Sequence, residues 1–135
     1  MAGANERSRG SYALSLLRIV TGFTFSCHGA QKLLGLFGGM GGSGAKAHFF
    51  SLLWAAGFLE AVGGLLIILG LFTAPVAFVL CGEMAVAYFM QHFPRGFWPI
   101  RNGGELAVVY CFIFLYMIFA GGGAISLDAL WRKPR

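Results

Sequence analysis

The chain has 135 residues, of which 58% are hydrophobic and 11% are charged. Soluble proteins carry about 25% charged residues, so this composition excludes an ordinary soluble domain and predicts an integral membrane protein. The net charge of +5 comes from single basic residues near the ends of apolar segments. That distribution is typical of lipid-headgroup anchors and argues against nucleic acid as a partner.

Four apolar segments approach the length of about 20 residues that a helix needs to cross a bilayer. They cover residues 12–36, 49–71, 74–93 and 105–120. We therefore expect an all-α protein, an integral membrane four-helix bundle, formed by one domain over residues 1–135.

The first segment is too long and too polar at its far end for a signal peptide, so it predicts a retained helix. Its polar residues fall on one helical face, which should avoid lipid. They are Thr21, Thr24, His28, Gln31 and Lys32. Arg18 lies about a turn earlier, and we expect Arg18 and Lys32 to be the cations available to buried carboxylates.

The second segment follows a glycine-rich loop and places Glu60 inside an almost purely apolar run. Gly57, Gly63 and Gly64 share a face with Glu60 by helical spacing. Small residues let membrane helices approach closely. We therefore expect Glu60 to point to the tightest helix contact. Lys32 is the expected counter-ion of Glu60 and Glu83.

The third segment holds Glu83 near its middle and Tyr88 and His92 toward its end. His28 and His92 invite a haem interpretation, but the chain has no CxxCH or HExxH motif. We therefore predict no metal site and favour a quinone headgroup over haem. A quinone needs a donor to each carbonyl oxygen, which His, Tyr and Glu side chains can supply.

The connection over residues 92–105 leads into the fourth segment and carries aromatics and arginines suited to the membrane interface. Asn102 and Glu105 have the spacing of a capping box. Two interpretations stay open for them, a capped helix start and membership of a polar pocket. The three cysteines, Cys27, Cys81 and Cys111, are interpreted as small buried apolar residues.

Four spans place both termini on one side of the membrane. The tails hold more basic residues than the opposite loops, which predicts a multi-pass protein of the cytoplasmic membrane with cytoplasmic termini. Glu60 and Glu83 then lie near mid-bilayer, and the other polar residues lie in the outer half. A pocket there would contain His28, Gln31, Lys32, Glu60, Glu83, Tyr88, His92, Asn102 and Glu105. The alternative is that buried carboxylate–cation pairs only hold the bundle together.

Three motifs carry a resemblance to a known family: HGAQK at 28–32, EAVGG at 60–64 and HFPRGFWPIRNGGE at 92–105. With these motifs the chain resembles the DoxX family of small bacterial membrane proteins, from about Leu16 to Leu130. The resemblance implies four membrane helices and an association with membrane redox complexes, quinol oxidation and thiol homeostasis. The matching positions are His28, Gln31, Lys32, Glu60, Glu83, His92, Asn102 and Glu105.

The function expected from these residues is redox-associated binding of a quinone or similar small molecule. If the protein takes part in catalysis, we expect it to be a subunit of a quinone-linked oxidoreductase. His28 and His92 would hydrogen-bond the ligand, and Glu60 and Glu83 would set charge or relay protons. Two other functions fit the same residues. One is a membrane scaffold that docks a soluble redox enzyme or a respiratory complex. The other is a small-solute carrier that acts as a homo-oligomer.

Overall fold

A computed structural model of the chain describes residues 2–132. The secondary structure in this range is helical, apart from one isolated β-bridge between Met40 and Ala45. The all-α prediction is therefore confirmed. The helices are α1 (Ala2–Leu34), α2 (Leu52–Leu69), α3 (Thr73–Ala87), α4 (Pro99–Asn102), α5 (Glu105–Ala120) and α6 (Leu127–Arg132). A π-helical turn (Tyr88–His92) and a 3-10 turn (Phe93–Arg95) continue α3. Lys133 and Arg135, used in the topology prediction, lie outside the described residues.

Two helical stretches within residues 2–132 are long and apolar enough to cross a membrane, Leu52–Leu69 and Thr73–Arg95. Helix α5 is apolar but shorter. Helix α1 is the longest helix described, yet Arg18, His28 and Lys32 make it more polar than a typical span. Membrane crossings by α1 and α5, which would bring the total to four, therefore stay a prediction.

The described residues form two compact units. The α1–α2 unit contains residues 2–73 and 122–132, and the α3–α5 unit contains residues 74–121. A single membrane domain over the whole chain stays a prediction.

Small residues bring the backbones of α1 and α2 into direct contact. A Cβ atom on Gly29 of α1 would lie 2.3 Å from the amide nitrogen of Ala61. A Cβ atom on Gly64 of α2 would lie 2.8 Å from the Cβ of Ser26. Close packing through small residues is how helices associate in lipid, where apolar burial supplies little driving force. This contact confirms the predicted use of the small-residue face of α2.

Arg18 is 1% exposed and stabilises the end of α2 through main-chain carbonyl groups. Its guanidinium donates to the carbonyls of Ile67, Ile68 and Ile125. Its Nε donates to the carbonyl of Gly122 at 2.7 Å. The last carbonyls of a helix lack intrahelical partners and carry the negative end of the helix dipole, so a cation suits this place. The structure thus assigns Arg18 to these carbonyls in place of the predicted membrane carboxylates.

Asp128 connects the C-terminal segment to the start of the helix that begins at Thr73. Its two carboxylate oxygens accept hydrogen bonds from the amides of Phe72 and Thr73, each at 2.8 Å. Burial alone would raise the pKa of Asp128, but these hydrogen bonds and the charge of Arg132 lower it below its usual value. Asp128 therefore satisfies amide donors that a helix start leaves without intrahelical partners.

In the α3–α5 unit, α3 and α5 meet at Cys81 and Cys111, whose sulfur atoms lie 3.7 Å apart. Each helix buries a stripe at three- and four-residue spacing, which is Ala77, Leu80 and Met84 on α3 and Ala107, Tyr110, Phe114 and Met117 on α5. The other faces expose large apolar side chains. Faces of this kind suit contact with lipid acyl chains.

Candidate functional site

An ion pair within the α1–α2 unit joins Lys32 to Glu60. The Lys32 Nζ atom lies 2.8 Å from Oε1 and 2.6 Å from Oε2 of Glu60, so the ammonium contacts both oxygens. The Glu60 side chain is 5% exposed and that of Lys32 is 21% exposed. The predicted counter-ion of Glu60 is confirmed, and so is the inward direction of its side chain.

The glycines of α2 explain why this ion pair can form. A Cβ atom on Gly57 would lie 2.8 Å from the Cβ of Lys32, so a larger residue would obstruct the lysine where it passes α2. A carboxylate at bilayer depth costs about 2.5–3.5 kcal/mol on insertion scales. The ammonium offsets part of that cost because it faces both carboxylate oxygens.

His28 and Gln31 extend this cluster along α1. His28 is one turn before Lys32 on the same face, Gln31 is adjacent to Lys32, and both are half-buried. Thr21 is buried as well. Thr24 differs from the predicted stripe, since it is exposed and its hydroxyl donates to carbonyls of its own helix at 3.0 and 3.1 Å. The arrangement gives a partly exposed lysine side chain, a buried carboxylate and an imidazole within one unit.

A second polar cluster forms within the α3–α5 unit around Asn102, which is 1% exposed. Its Nδ2 donates to the carbonyl of Gly96 at 2.8 Å and to the Tyr88 hydroxyl at 3.2 Å. Its Oδ1 accepts from the Gly104 amide at 2.8 Å. The Tyr88 hydroxyl in turn donates to the carbonyl of Phe97. Asn102 thereby fixes the 96–104 segment against the end of the third helical stretch.

His92 belongs to this cluster through its ring. Its Nδ1 donates to the Asn102 carbonyl at 3.2 Å, which in a neutral imidazole leaves Nε2 as an acceptor. The rings of His92 and Tyr88 stack with centroids 6.3 Å apart. Both residues lie in the π-helical turn, a rare element that is frequently found at functional sites.

The capping-box prediction for Asn102 and Glu105 is wrong. Gly104 is the N-cap of α5 and makes no side-chain cap, while Asn102 is the last residue of the short helix α4. The reason is that α4 turns the Asn102 side chain inward, where three partners occupy it. Glu105 is exposed in the first turn of α5, where a carboxylate suits the positive end of the helix dipole.

The predicted pocket residues therefore fall in both units. His28, Gln31, Lys32 and Glu60 lie in the α1–α2 unit, and Glu83, Tyr88, His92, Asn102 and Glu105 lie in the α3–α5 unit. The carboxylate oxygens of Glu83 are buried. One pocket shared by all of them stays a prediction.

Among the arrangements that sequence reasoning missed are the carbonyl contacts of Arg18 and the meeting of Cys81 with Cys111. Each depends on contacts between residues far apart in the chain, for which no local pattern gives a signal. No group of three or more His, Cys, Asp or Glu residues able to hold a metal occurs in the part of the chain that the structure describes.

Comparison with known proteins decides the family. The family model for DoxX matches residues 13–93. The chain belongs to the DoxX family. A protein of Haemophilus influenzae (strain ATCC 51907 / DSM 11121 / KW20 / Rd), described as "Uncharacterized protein", is 49% identical over 126 residues, which cover 90% of this chain and 92% of that protein. No solved structure matches the chain.

The matched range of the DoxX model contains both residues of the Lys32–Glu60 pair and also His28, Glu83 and His92. Asn102 and Glu105 lie beyond it. The family assignment makes this chain a DoxX family membrane protein, and the relative's printed description adds no activity.

Proposed function

We propose that this DoxX protein binds a quinone or a similar small molecule at the Lys32–Glu60 cluster and has a redox-associated role in the membrane. The observation that supports the proposal is the ion pair itself. Glu60 is almost fully buried, whereas the Lys32 side chain keeps 21% of its surface exposed. That exposed part of the lysine side chain is where a ligand can approach the pair.

The residues of the cluster match the chemistry of a quinone headgroup. The ammonium of Lys32 has three N–H donors, and two of them can serve the two oxygens of Glu60. The third can donate to a carbonyl oxygen of a ligand. The His28 imidazole, one turn away, is the proposed second donor. Glu60 holds the Lys32 ammonium in place through both of its carboxylate oxygens. The exposed apolar faces of the helices suit an isoprenoid tail.

A binding titration tests the proposal. Purified protein in lipid nanodiscs is titrated with decylubiquinone, and intrinsic tryptophan fluorescence reports binding. Glu60→Gln keeps a hydrogen-bond acceptor for Lys32 but removes the charge, and we expect at least tenfold weaker binding, equivalent to about 1.4 kcal/mol. Tyr116→Phe, at an exposed tyrosine of α5, is the control and should bind like the wild type.

A charge swap separates binding from folding. Lys32→Glu combined with Glu60→Lys retains an ion pair between α1 and α2 but moves the ammonium to α2. We expect this variant to stay folded and to lose quinone binding. Equal binding by all these variants, or no binding by the wild type, would contradict the proposal. Co-purification of a stoichiometric soluble enzyme together with absent quinone binding would favour the scaffold function instead.

A further inference from the structure

The thiols of Cys81 and Cys111 form a pair that the proposed ligand site does not use. Their sulfur atoms lie 3.7 Å apart, and the Cys111 thiol also donates to the carbonyl of Cys81 at 3.5 Å. Both cysteines are reduced and half-buried. A disulfide needs a sulfur separation of about 2.05 Å, so the two sulfurs must approach by less than 2 Å to bond, given the distance between them.

The pair lies inside apolar helices. Cys81 is in the stretch Thr73–Arg95, which is long and apolar enough to cross a membrane, and Cys111 is near the middle of the apolar helix Glu105–Ala120. A water-soluble oxidant has poor access to such a place, whereas a molecule dissolved in the acyl chains has direct access. Gly82, next to Cys81, is exposed, and a Cβ atom there would meet nothing within 4 Å. The surface beside Cys81 is therefore open at Gly82.

We propose that Cys81 and Cys111 are a redox-active dithiol that a membrane quinone oxidises to a disulfide between α3 and α5. Both S–H bonds break and one S–S bond forms. The two electrons and two protons pass to the two carbonyl oxygens of the quinone, which becomes a hydroquinone. The choice of a quinone as the oxidant rests on the proposed function, whereas the dithiol itself rests on the sulfur geometry alone.

Differential thiol alkylation tests the dithiol in reduced protein reconstituted into sealed liposomes without oxygen. Decylubiquinone is added, free thiols are alkylated, and mass spectrometry follows each cysteine. We expect Cys81 and Cys111 to be lost together as a cross-linked peptide lighter by two hydrogens, with one hydroquinone formed per pair. Cys27 lies on α1 in the other unit and is the internal control, which should stay fully alkylated.

Two further samples make the outcome decisive. Cys111→Ser should reduce hydroquinone formation to the protein-free background, and oxidised glutathione outside the liposomes should leave the pair reduced. Retention of both thiols with decylubiquinone, addition of the quinone to one cysteine, or equally fast oxidation by glutathione would each overturn the dithiol.

Glu60→Gln separates this inference from the proposed function. The pair should oxidise in this variant as in the wild type, because the quinone that oxidises the thiols comes from the acyl chains and not from the Lys32–Glu60 cluster. If the wild type binds quinone at Lys32 and Glu60 but its Cys81–Cys111 pair is not oxidised, the dithiol alone is contradicted. If the cysteine pair is oxidised and Glu60→Gln binds quinone as tightly as the wild type, the ligand site alone is contradicted.

Discussion

At the scale of single residues, Lys32 and Glu60 depend on each other for burial. Removal of one partner from a buried ion pair leaves an uncompensated charge, whereas replacement of both by neutral residues is often nearly neutral for stability. Glu60 is the more buried of the two, so the loss of Lys32 is the more costly single change.

A double-mutant cycle at this pair is the first prediction. Lys32→Met should lower the free energy of unfolding by about 3 kcal/mol, because the Glu60 carboxylate stays buried without its cation. Lys32→Met combined with Glu60→Leu should recover more than half of that loss. Reversible unfolding in mixed micelles measures the free energy of unfolding of the wild type, the two single variants and the double variant. Additive effects of the two substitutions would contradict a direct energetic coupling.

The sequence predicts the Lys32–Glu60 contact because its signals are local: the small-residue face of α2 and the polar face of α1. Arg18 shows the limit of such signals. Its Nε partner, the carbonyl of Gly122, is 104 positions away, and a main-chain carbonyl has no sequence signature. The capped-start interpretation of Asn102 fails for a different reason. The short helix α4, which turns the Asn102 side chain inward, is not visible in the spacing of Asn102 and Glu105.

At the scale of elements, the contact between α1 and α2 depends on glycine. Gly29→Ala should destabilise the protein by about 1–3 kcal/mol, because its Cβ would overlap the backbone of Ala61 and force the helices apart. Gly10→Ala, on the same helix with nothing within 4 Å, is the matched control and should stabilise by up to about 1 kcal/mol. Thermal unfolding of the two variants in detergent measures the difference, and equal changes would contradict close packing at Gly29.

The stability that Asp128 contributes by holding α6 against the start of the helix at Thr73 should depend on pH. The pKa of Asp128 is lower in the folded protein than in the unfolded chain. Its contribution to stability is therefore fully present above about pH 4, the usual Asp pKa, and is lost as pH falls through the lower folded pKa.

Asp128→Asn tests this dependence. The midpoint of thermal unfolding in detergent should fall more steeply with acid in the wild type than in Asp128→Asn. The difference between the two proteins should be largest above about pH 4 and should shrink below it. A constant difference from pH 7 to pH 3 would show that the Asp128 charge adds nothing to the amide contacts.

At the scale of the whole molecule, the composition and the apolar segments predict an all-α protein, and the motifs predict the DoxX family. Both predictions are confirmed because they depend on features spread along the chain. The π-helical turn and the Cys81–Cys111 contact were not predicted, since each results from how particular helices meet. The number of membrane crossings stays a prediction, because the polar residues of α1 make that helix unlike a typical span.

Cysteine labelling at the two ends of α1 tests the topology. Ser8→Cys and Ser43→Cys place a thiol in the first part of α1 and in the loop beyond its end, both at exposed positions. A membrane-impermeant maleimide added to intact cells should label Ser43→Cys only, and Ser8→Cys only after permeabilisation. Labelling of both or of neither in intact cells would contradict a membrane crossing by α1.

The measurement that tests the central claim most directly is photo-crosslinking with a photoreactive quinone in nanodiscs. Binding at the Lys32–Glu60 cluster predicts that the label attaches to the peptides around His28–Lys32 and Glu60, and that excess decylubiquinone displaces it. Glu60→Gln should lose most of the labelling. Labelling that is spread over the lipid-facing helices, or that excess quinone does not displace, would contradict a quinone site at this ion pair.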